Sequence, residues 1–289
     1  MRLPLTWLYV PGDRPERFAK AAASGADVVI VDLEDAVAEE AKDAARANAL
    51  AYLAGRAPGG PAVHVRINDP ATGRGRADAR ALAELAAGGV AVDGVRVPKV
   101  TSPRVLDELG DLPLHALLES AAGVLEAAAI ARHPRVAGLA LGEQDLIAEL
   151  GVTAEAALNH LRLQVVLAAA AAGLPPVPMS VHPHLADEAG LLASTRHGRS
   201  LGMYGRAAIH PRQLPVIRRA FAPTPREVEQ AREIVAHAGA GAAALPDGRF
   251  VDAPVVARAR AVLALAEHLA EHLDGAERVD GQPDGRDGR

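Results

Sequence analysis

Short apolar, β-favouring runs alternate with longer stretches of helical spacing along most of the chain. Thr6–Val10 is a first strand, ended by Pro11-Gly12. Pro15–Ser24 has helical spacing, with Pro15 suited to a first turn and Gly25 to a stop. Asp27–Leu33 (DVVIVDL) is almost continuously apolar, as a strand buried on both faces is, and it runs into Glu34 and Asp35. An alanine-rich helix over Ala38–Ala54 leads to a third strand, Val63–Ile67, with Arg66 and Asn68 near its end. A helix over Ala77–Ala87 precedes a fourth strand, Gly94–Pro98, followed at once by Lys99. After a short helix at Pro103–Leu109, the runs His115–Leu118 and Ala137–Gly142 make the fifth and sixth strands. One helix-sized segment separates them, and they run into Glu119 and into Glu143 and Asp145. Thr153–Ala172 is helical. Val177–Val181 is expected as a seventh strand, although Pro178 cannot donate to a ladder. A helix over Ala186–Leu201 leads to an eighth strand, Gly205–Ile209, and then His210-Pro211.

Eight strands alternating with helices predict an α/β fold of the (β/α)₈ TIM-barrel type, with an open doubly wound sheet as the alternative. The polar residues at strand ends favour the barrel. Glu34/Asp35, Arg66/Asn68, Lys99, Glu119 and Glu143/Asp145 would converge on one mouth of a barrel but spread along the edge of an open sheet. No G-x-G-x-x-G follows the first strand, and no P-loop motif occurs, so a nucleotide fold lacks its usual mark. After Phe221 the pattern changes to a helix (Thr224–Ala238), a Gly/Ala connector (Gly239–Leu245), a turn into a short strand (Pro246–Asp252) and an amphipathic helix (Pro254–Leu273). The expected division is a barrel over residues 1–222 and a C-terminal helical extension over 223–273. That extension packs on the barrel or covers the active site of a neighbouring subunit. A disordered Gly-, Asp- and Arg-rich tail over 274–289 completes the chain.

Composition narrows the functional classes. Apolar residues make up 49% of the 289, enough for a large core, but aromatics only 2%. Alanine, valine and leucine must therefore pack helices closely on a parallel sheet. The net charge of −5, with both signs interspersed, argues against nucleic acid or an anionic membrane as partner. The absence of cysteine excludes a disulfide framework, a zinc–thiolate site and a catalytic thiol. The opening MRLPLTWLYVPG reaches a Pro-Gly turn too soon for a signal-peptide core or a membrane span, so a soluble cytoplasmic protein is expected.

If the fifth and sixth strands are parallel neighbours, Glu119 and Asp145 emerge side by side. Two carboxylates with no cysteine nearby suit a hard cation such as Mg²⁺; the plainer reading is that they cap helices or face water. Lys99 offers a Schiff-base route instead, but the carboxylate pair makes the metal route more economical. His182 and His184 are two apart, yet Pro183 between them and the lack of a third ligand favour a loop role. His210 fits a turn after the eighth strand, and His64, inside a strand, a structural role.

The chain also resembles the HpcH/HpaI aldolase and citrate lyase β-subunit superfamily, on its CitE-like branch close to citramalyl-CoA and malyl-CoA lyases. The resemblance rests on Tyr9-Val10-Pro11-Gly12, Gly25-Ala26-Asp27 leading into Asp32-Leu33-Glu34-Asp35-Ala36-Val37, and Val65-Arg66-Ile67-Asn68. It continues through Val97-Pro98-Lys99, Leu118-Glu119-Ser120, Leu141-Gly142-Glu143-Gln144-Asp145-Leu146 and Ile209-His210-Pro211, all in family order. There are departures. Gln144 stands where many relatives have an acid, Arg206 replaces a usual lysine, and Met179–His184 lacks an expected aspartate.

The resemblance implies a (β/α)₈ barrel, dependence on Mg²⁺ with Mn²⁺ as a substitute, and carbon–carbon bond cleavage or formation on CoA thioesters with a small 2-oxo acid. It implies Glu119 and Asp145 as metal ligands and Arg66 as the contact to substrate oxygens. Glu34 and Asp35 become an acidic pair ordering that arginine and water around the metal, and Lys99 a further substrate contact. Arg14 and Arg17 fall near CoA-contacting positions. Phe250-Val251-Asp252-Ala253-Pro254 resembles a segment in which an aspartate from one subunit closes over its neighbour's site, making Asp252 the acid/base candidate; the alternative is that Asp252 caps the helix opening at Pro254. A homotrimer or hexamer is implied in the same way. The expected activity is a Mg²⁺-dependent lyase, or reverse Claisen-type condensing enzyme, on a hydroxyacyl-CoA such as malyl-CoA or citramalyl-CoA. The alternatives are a metal-dependent aldolase on free 2-oxo acids and a citrate lyase β-like subunit of a larger complex.

Overall fold

The computed structural model describes residues 3–237, 243–244 and 250–279. It divides into two compact units, Met1–Ala220 and Phe221–Arg289. The first holds seven strands: β1 (Thr6–Pro11), β2 (Val28–Asp32), β3 (Ala62–Arg66), β4 (Gly94–Val97), β5 (Leu114–Leu118), β6 (Val136–Leu141) and β7 (Arg206–Ala208). Its helices are α1 (Phe18–Ala22), α2 (Lys42–Gly55), α3 (Gly73–Ala87), α4 (Ala121–Leu125), α5 (Ala127–Ala131), α6 (Glu143–Leu150), α7 (Glu155–Ala171), α8 (Glu188–Ser200) and α9 (Gln213–Phe221). All pairings in the sheet are parallel, and the strand order is β6-β5-β4-β3-β2-β1-β7.

That order is a barrel's. The first strand pairs with both the second and the last, so the sheet wraps around on itself. The fold is a (β/α)₈ barrel in which one stave departs from expectation. Residues 177–181 carry a single parallel bridge, Met179 to Arg206, and no ladder. The Met179 N–H donates to the Gly205 carbonyl, and its own carbonyl accepts from Ala207 N–H, both at 3.0 Å. On the other side, the Ser180 hydroxyl donates to the Leu141 carbonyl at the end of β6 and accepts the Glu143 N–H at 3.4 Å. Pro178 inside the run has no N–H and Pro175-Pro176 stand just before it, so the composition of a strand is present with fewer donors for a ladder.

Three smaller differences have local causes. The segment between β5 and β6 is broken into α4 and α5 at Glu126, which leaves helical geometry at φ −89°, ψ 4°. Pro103–Leu106 is a 3₁₀ turn in place of a helix. Helices α6 and α9 are additional to the expected pattern, α6 opening directly from the end of β6.

Every residue of β2 is buried. Trp7, Val28, Ile30 and Ala207 form a cluster on which Tyr9, Ala62 and Val181 pack, and this fills the barrel interior with apolar side chains. Strand alternation carries the same inward face onward to Asp32, Arg66 and Arg96.

The second unit holds α10 (Pro225–Ala236), the antiparallel pair β8 (Ala243–Ala244) and β9 (Phe250–Val251), and α11 (Ala253–Val279), which packs on α10. A capping box starts α10: Thr224 and Glu227 each bond the other's backbone N–H. Helix α11 continues to Val279, beyond the Leu273 end expected from sequence. Extending an existing helix through Ala276, Glu277 and Arg278 is easier than starting one. The rest of the expected tail, from residue 280, and most of the Gly/Ala connector lie outside the described residues. Among the described residues no helix is long and apolar enough to cross a membrane.

Candidate active site

The ends of β2 to β6 deliver their polar side chains to one cleft of about 380 Å³. Asp32, Arg66, Arg96, Glu119 and Asp145 line it, with Tyr9 from β1. Parallel pairing places these strand ends together, as the sequence pattern predicts for a barrel mouth.

Arg66 is the most heavily bonded side chain of the cleft. Its Nε donates to Asp32 Oδ1 at 2.7 Å and its Nη2 to Asp32 Oδ2 at 2.6 Å, a bidentate clamp. Its Nη1 donates to Asp35 Oδ2 at 3.1 Å and stands 3.0 Å from Glu34 Oε2. The second contact is an ion pair without hydrogen-bond geometry, since that Glu34 oxygen is buried with no hydrogen-bond partner. The guanidinium carbon also lies 5.1 Å from the centre of the Tyr9 ring. Burial disfavours the charge, but the Asp32 hydrogen bonds outweigh it and hold the guanidinium above its ordinary pKa. Asp32 is thus the principal partner of Arg66, with Glu34 and Asp35 as flanking charges.

Lys99 joins the two halves of the cleft. Its Nζ donates to Glu34 Oε1 at 2.9 Å, and its backbone N–H to Glu119 Oε1 at 2.8 Å. The bond to Glu34 raises the Lys99 ammonium above its ordinary pKa. A Schiff-base lysine needs the opposite shift, so the geometry opposes that route. Glu34 itself is pushed upward, chiefly by burial.

Glu119 is buried, and its carboxyl is pushed up to about 7, first by burial and then by the nearby charges of Glu34 and Asp145. Asp145 stands in the first turn of α6, whose N-cap is Gly142. A Cβ at Gly142 would overlap the Glu119 side chain, so the missing side chain is what lets α6 bring Asp145 close. Two crowded carboxylates, one holding its proton abnormally well, fit a divalent cation, which relieves their repulsion. Among the described residues no group of three or more His, Asp or Glu converges to hold a metal. A pair suits Mg²⁺, which takes one or two protein carboxylates and fills its octahedron with water and substrate oxygens. Glu143 also lines the cleft, but Arg162 of α7 holds it in a bidentate pair at 2.9 and 2.6 Å.

Other candidates lie elsewhere. Arg14 and Arg17 are exposed in the turn after β1, paired only loosely with Asp13 at 3.7 Å and Glu16 at 3.8 Å. Asp252 belongs to the second unit, where its Oδ1 accepts the Val255 N–H at 3.2 Å at the start of α11, as a helix cap does. His182 is 3.4 Å from Asp187. His210 accepts the Arg212 N–H on its Nδ1 at 3.1 Å and so shapes the turn. His64 stacks on His115 with ring centres 4.3 Å apart; both are pushed down in pKa by burial, His115 to about 3. Sequence reasoning missed Asp32, Tyr9, Arg96 and Arg162. For Asp32 and Arg96 a signal existed: each is a lone charge inside an otherwise apolar strand.

Comparison with known proteins agrees with this architecture. Residues 5–211 match the family HpcH/HpaI aldolase/citrate lyase. A (3S)-malyl-CoA thioesterase of Cereibacter sphaeroides is 39% identical over 278 residues, covering 91% of this chain and 94% of its own. An L-malyl-CoA/beta-methylmalyl-CoA lyase of the same organism is 31% identical, covering 91% and 94%. Among solved structures, CitE from Mycobacterium tuberculosis in complex with magnesium, acetoacetate and coenzyme A superposes with a TM-score of 0.80 at 37% identity, covering 91% of this chain and 98% of that one. With the match spanning the whole barrel and its mouth, the chain belongs to the HpcH/HpaI aldolase/citrate lyase family.

Proposed function

We propose that this protein is a Mg²⁺-dependent lyase that breaks, or in reverse forms, a carbon–carbon bond in a hydroxyacyl-CoA thioester such as malyl-CoA or citramalyl-CoA. The observation that carries the reading is the meeting of Glu119, Asp145 and the clamped Arg66 in one cleft. Relatives named as acting on malyl-CoA, and a structural neighbour holding magnesium and coenzyme A, support it.

When bound, Mg²⁺ supplies Lewis-acid stabilisation of negative charge on the substrate oxygen next to the breaking bond; Mn²⁺ is its expected substitute. Glu119 and Asp145 would hold it. Arg66 is fixed by Asp32, so its orientation is set before substrate arrives. Three of its five N–H donors are used. The remaining ones, on Nη1 and Nη2, are free to bind substrate oxygens. Glu34 and Asp35 keep that guanidinium and Lys99 in place. The acyl fragment leaves as a thioester enolate, a far better carbanion than a carboxylate enolate, and needs a proton. Asp252 is assigned to that transfer from the extension of a neighbouring subunit in a homotrimer or hexamer. Arg14 and Arg17 are assigned to the CoA phosphates.

A second reading is thioester hydrolysis, favoured by the name of the 39%-identical thioesterase. Product analysis separates the two. Malyl-CoA or citramalyl-CoA is offered with Mg²⁺, and acetyl-CoA with glyoxylate for the reverse direction. Acyl-CoA plus a 2-oxo acid, lost without Mg²⁺ and in Glu119→Ala, supports the lyase; free CoA plus the hydroxy acid supports the hydrolase. Cleavage of a free 4-hydroxy-2-oxo acid, with no thioester turned over, points to the aldolase. Inactivity alone together with co-purifying partner chains points to a subunit of a larger complex. Turnover that survives Asp252→Asn leaves that residue as a helix cap.

A further inference from the structure

Lys42 is the first residue of α2, where a cation opposes the helix dipole. Helix stability therefore does not account for it. Its ammonium has three protons, and three oxygens take them: the Leu33 carbonyl at 3.2 Å, the Glu34 carbonyl at 3.0 Å and Asn68 Oδ1 at 2.6 Å. All three acceptors lie just past the ends of β2 and β3. Asn68 cannot turn its amide the other way. Its Nδ2 and its backbone N–H donate to Asp78 Oδ2 at 2.6 and 3.0 Å, and a carboxylate only accepts, so the amide oxygen is left for Lys42. Asp78, on α3, is fully buried and accepts in turn from Arg46 Nη1 at 3.1 Å, one turn along α2 from Lys42. Helix α2 thus holds the end of β2 directly and the end of β3 through Asn68 and Asp78.

Glu34 is the site residue that this grip reaches. Its N–H donates to Asp32 Oδ1 at 2.9 Å and its carbonyl accepts from Lys42, so its backbone is fixed on both sides. Its carboxylate then meets two cations at once, Lys99 Nζ at 2.9 Å and Arg66 Nη1 at 3.0 Å. A carboxylate shared between two fixed partners tolerates little movement of its own backbone. We propose that Lys42 is a positioning residue for the active site: by tying the Leu33 and Glu34 carbonyls to Asn68, it sets where the Glu34 carboxylate stands and, through it, Lys99 and Arg66. Its effect on turnover rests on the lyase reading; its effect on Glu34 does not.

The test compares full-length wild type with Lys42→Met, Lys42→Arg, Glu34→Gln and the double variant Lys42→Met/Glu34→Gln. The chain's only lysines are Lys20, Lys42 and Lys99, so acetylation of Lys99 by acetic anhydride can be followed by mass spectrometry against the exposed Lys20. An ammonium bonded to Glu34 must give up that partner before it reacts. Lys99 labelling should rise about threefold or more in Lys42→Met and in Glu34→Gln, with no further rise in the double variant. Turnover of malyl-CoA with Mg²⁺ should fall about tenfold or more in each of these single variants. The double variant should stay within about twofold of Glu34→Gln, because both changes act through one carboxylate. Lys42→Arg keeps the charge but not the compact three-proton head, so it should recover part of both readouts. Turnover losses that multiply in the double variant, or Lys99 labelling at the wild-type rate in Lys42→Met, overturn the proposal. A lower Tm with both readouts unchanged makes Lys42 merely structural and overturns it too. If Lys42→Met does not fold, Lys42→Arg with and without Glu34→Gln decides by the same comparison. If wild type turns over no thioester, the lyase reading falls, and Lys99 labelling alone decides whether Lys42 positions Glu34.

Discussion

The backbone N–H of Lys99 donates to the Glu119 carboxylate from a left-handed conformation, φ 53°. No other described residue apart from glycine has a positive φ. The conformation turns the amide toward a proposed metal ligand while the side chain reaches Glu34. A residue with a Cβ pays about 1 kcal/mol to stand there. Lys99→Gly should therefore be more stable than Lys99→Ala by about 1 kcal/mol in urea unfolding. Equal stabilities would show that the turn carries no strain.

As a proposed metal ligand, Glu119 would link metal binding to pH. Its folded value of about 7 lies above the ordinary 4.5. The stabilising effect of its proton is complete below pH 4.5 and is lost as pH rises through 7, up to about 3 kcal/mol for the metal-free protein. Metal must displace that proton, so Mg²⁺ affinity should fall about tenfold per pH unit below 7 and level off above it. Melting with and without Mg²⁺ from about pH 5 to pH 8 checks this. A metal-induced rise in Tm that is the same at both ends would refute it.

Asp32 and Asp35 both touch Arg66, but at different costs. Asp32 is 1% exposed and bidentate, whereas the Asp35 side chain is 69% exposed. Asp32→Asn should destabilise the fold by about 3 kcal/mol, because it unbalances a buried pair. Asp35→Asn should cost less than about 1 kcal/mol. Turnover should fall further in the first, as Arg66 loses its anchor. Comparable unfolding midpoints for the two variants would contradict the buried-clamp account.

Gly142 holds α6 against Glu119. Gly142→Ala should weaken Mg²⁺ binding and destabilise by about 1–3 kcal/mol through overpacking. Gly55→Ala, where nothing lies within 4 Å of the added methyl, is the control and should be neutral or slightly stabilising. Full retention of metal affinity in Gly142→Ala would show that Glu119 can move aside freely.

Much of the fold was legible because β2 to β6 are mostly apolar runs that end on or run into a charge. DVVIVDL and the run into Glu119 are examples. The site residues that follow a strand, Glu119 and Lys99, were therefore visible, as was Arg66 near the end of the expected third strand. Asp32 and Arg96, inside the expected apolar runs, were not. Asp32 shares a face with Val28 and Ile30, and only knowing which face points into the barrel turns it from an exception into a ligand of Arg66. Arg162 was invisible for a different reason: it reaches Glu143 from another helix, and no local pattern links the two. The Val177–Val181 run had the composition of a strand, but Pro178 interrupts its row of amides and a single bridge forms. The cap at Asp252 could be read directly, since an Asp just before a helix has an amide within reach.

The stave at residues 177–181 makes the barrel a split ring. A hoop closed by ladders on all sides resists widening equally everywhere, whereas this one has a seam: three backbone hydrogen bonds tie residues 177–179 to 204–207, but toward β6 the tie is the Ser180 hydroxyl. Compliance is therefore concentrated between β6 and β7, on the same side as α6 and Asp145. Small changes in mouth width can be taken up on the β6 side of that stave without breaking a row of backbone hydrogen bonds, leaving Arg66 away from the seam and the proposed metal ligands Glu119 and Asp145 beside it. A bulkier ligand would then be accommodated by the seam and not by rearranging the clamp on Arg66.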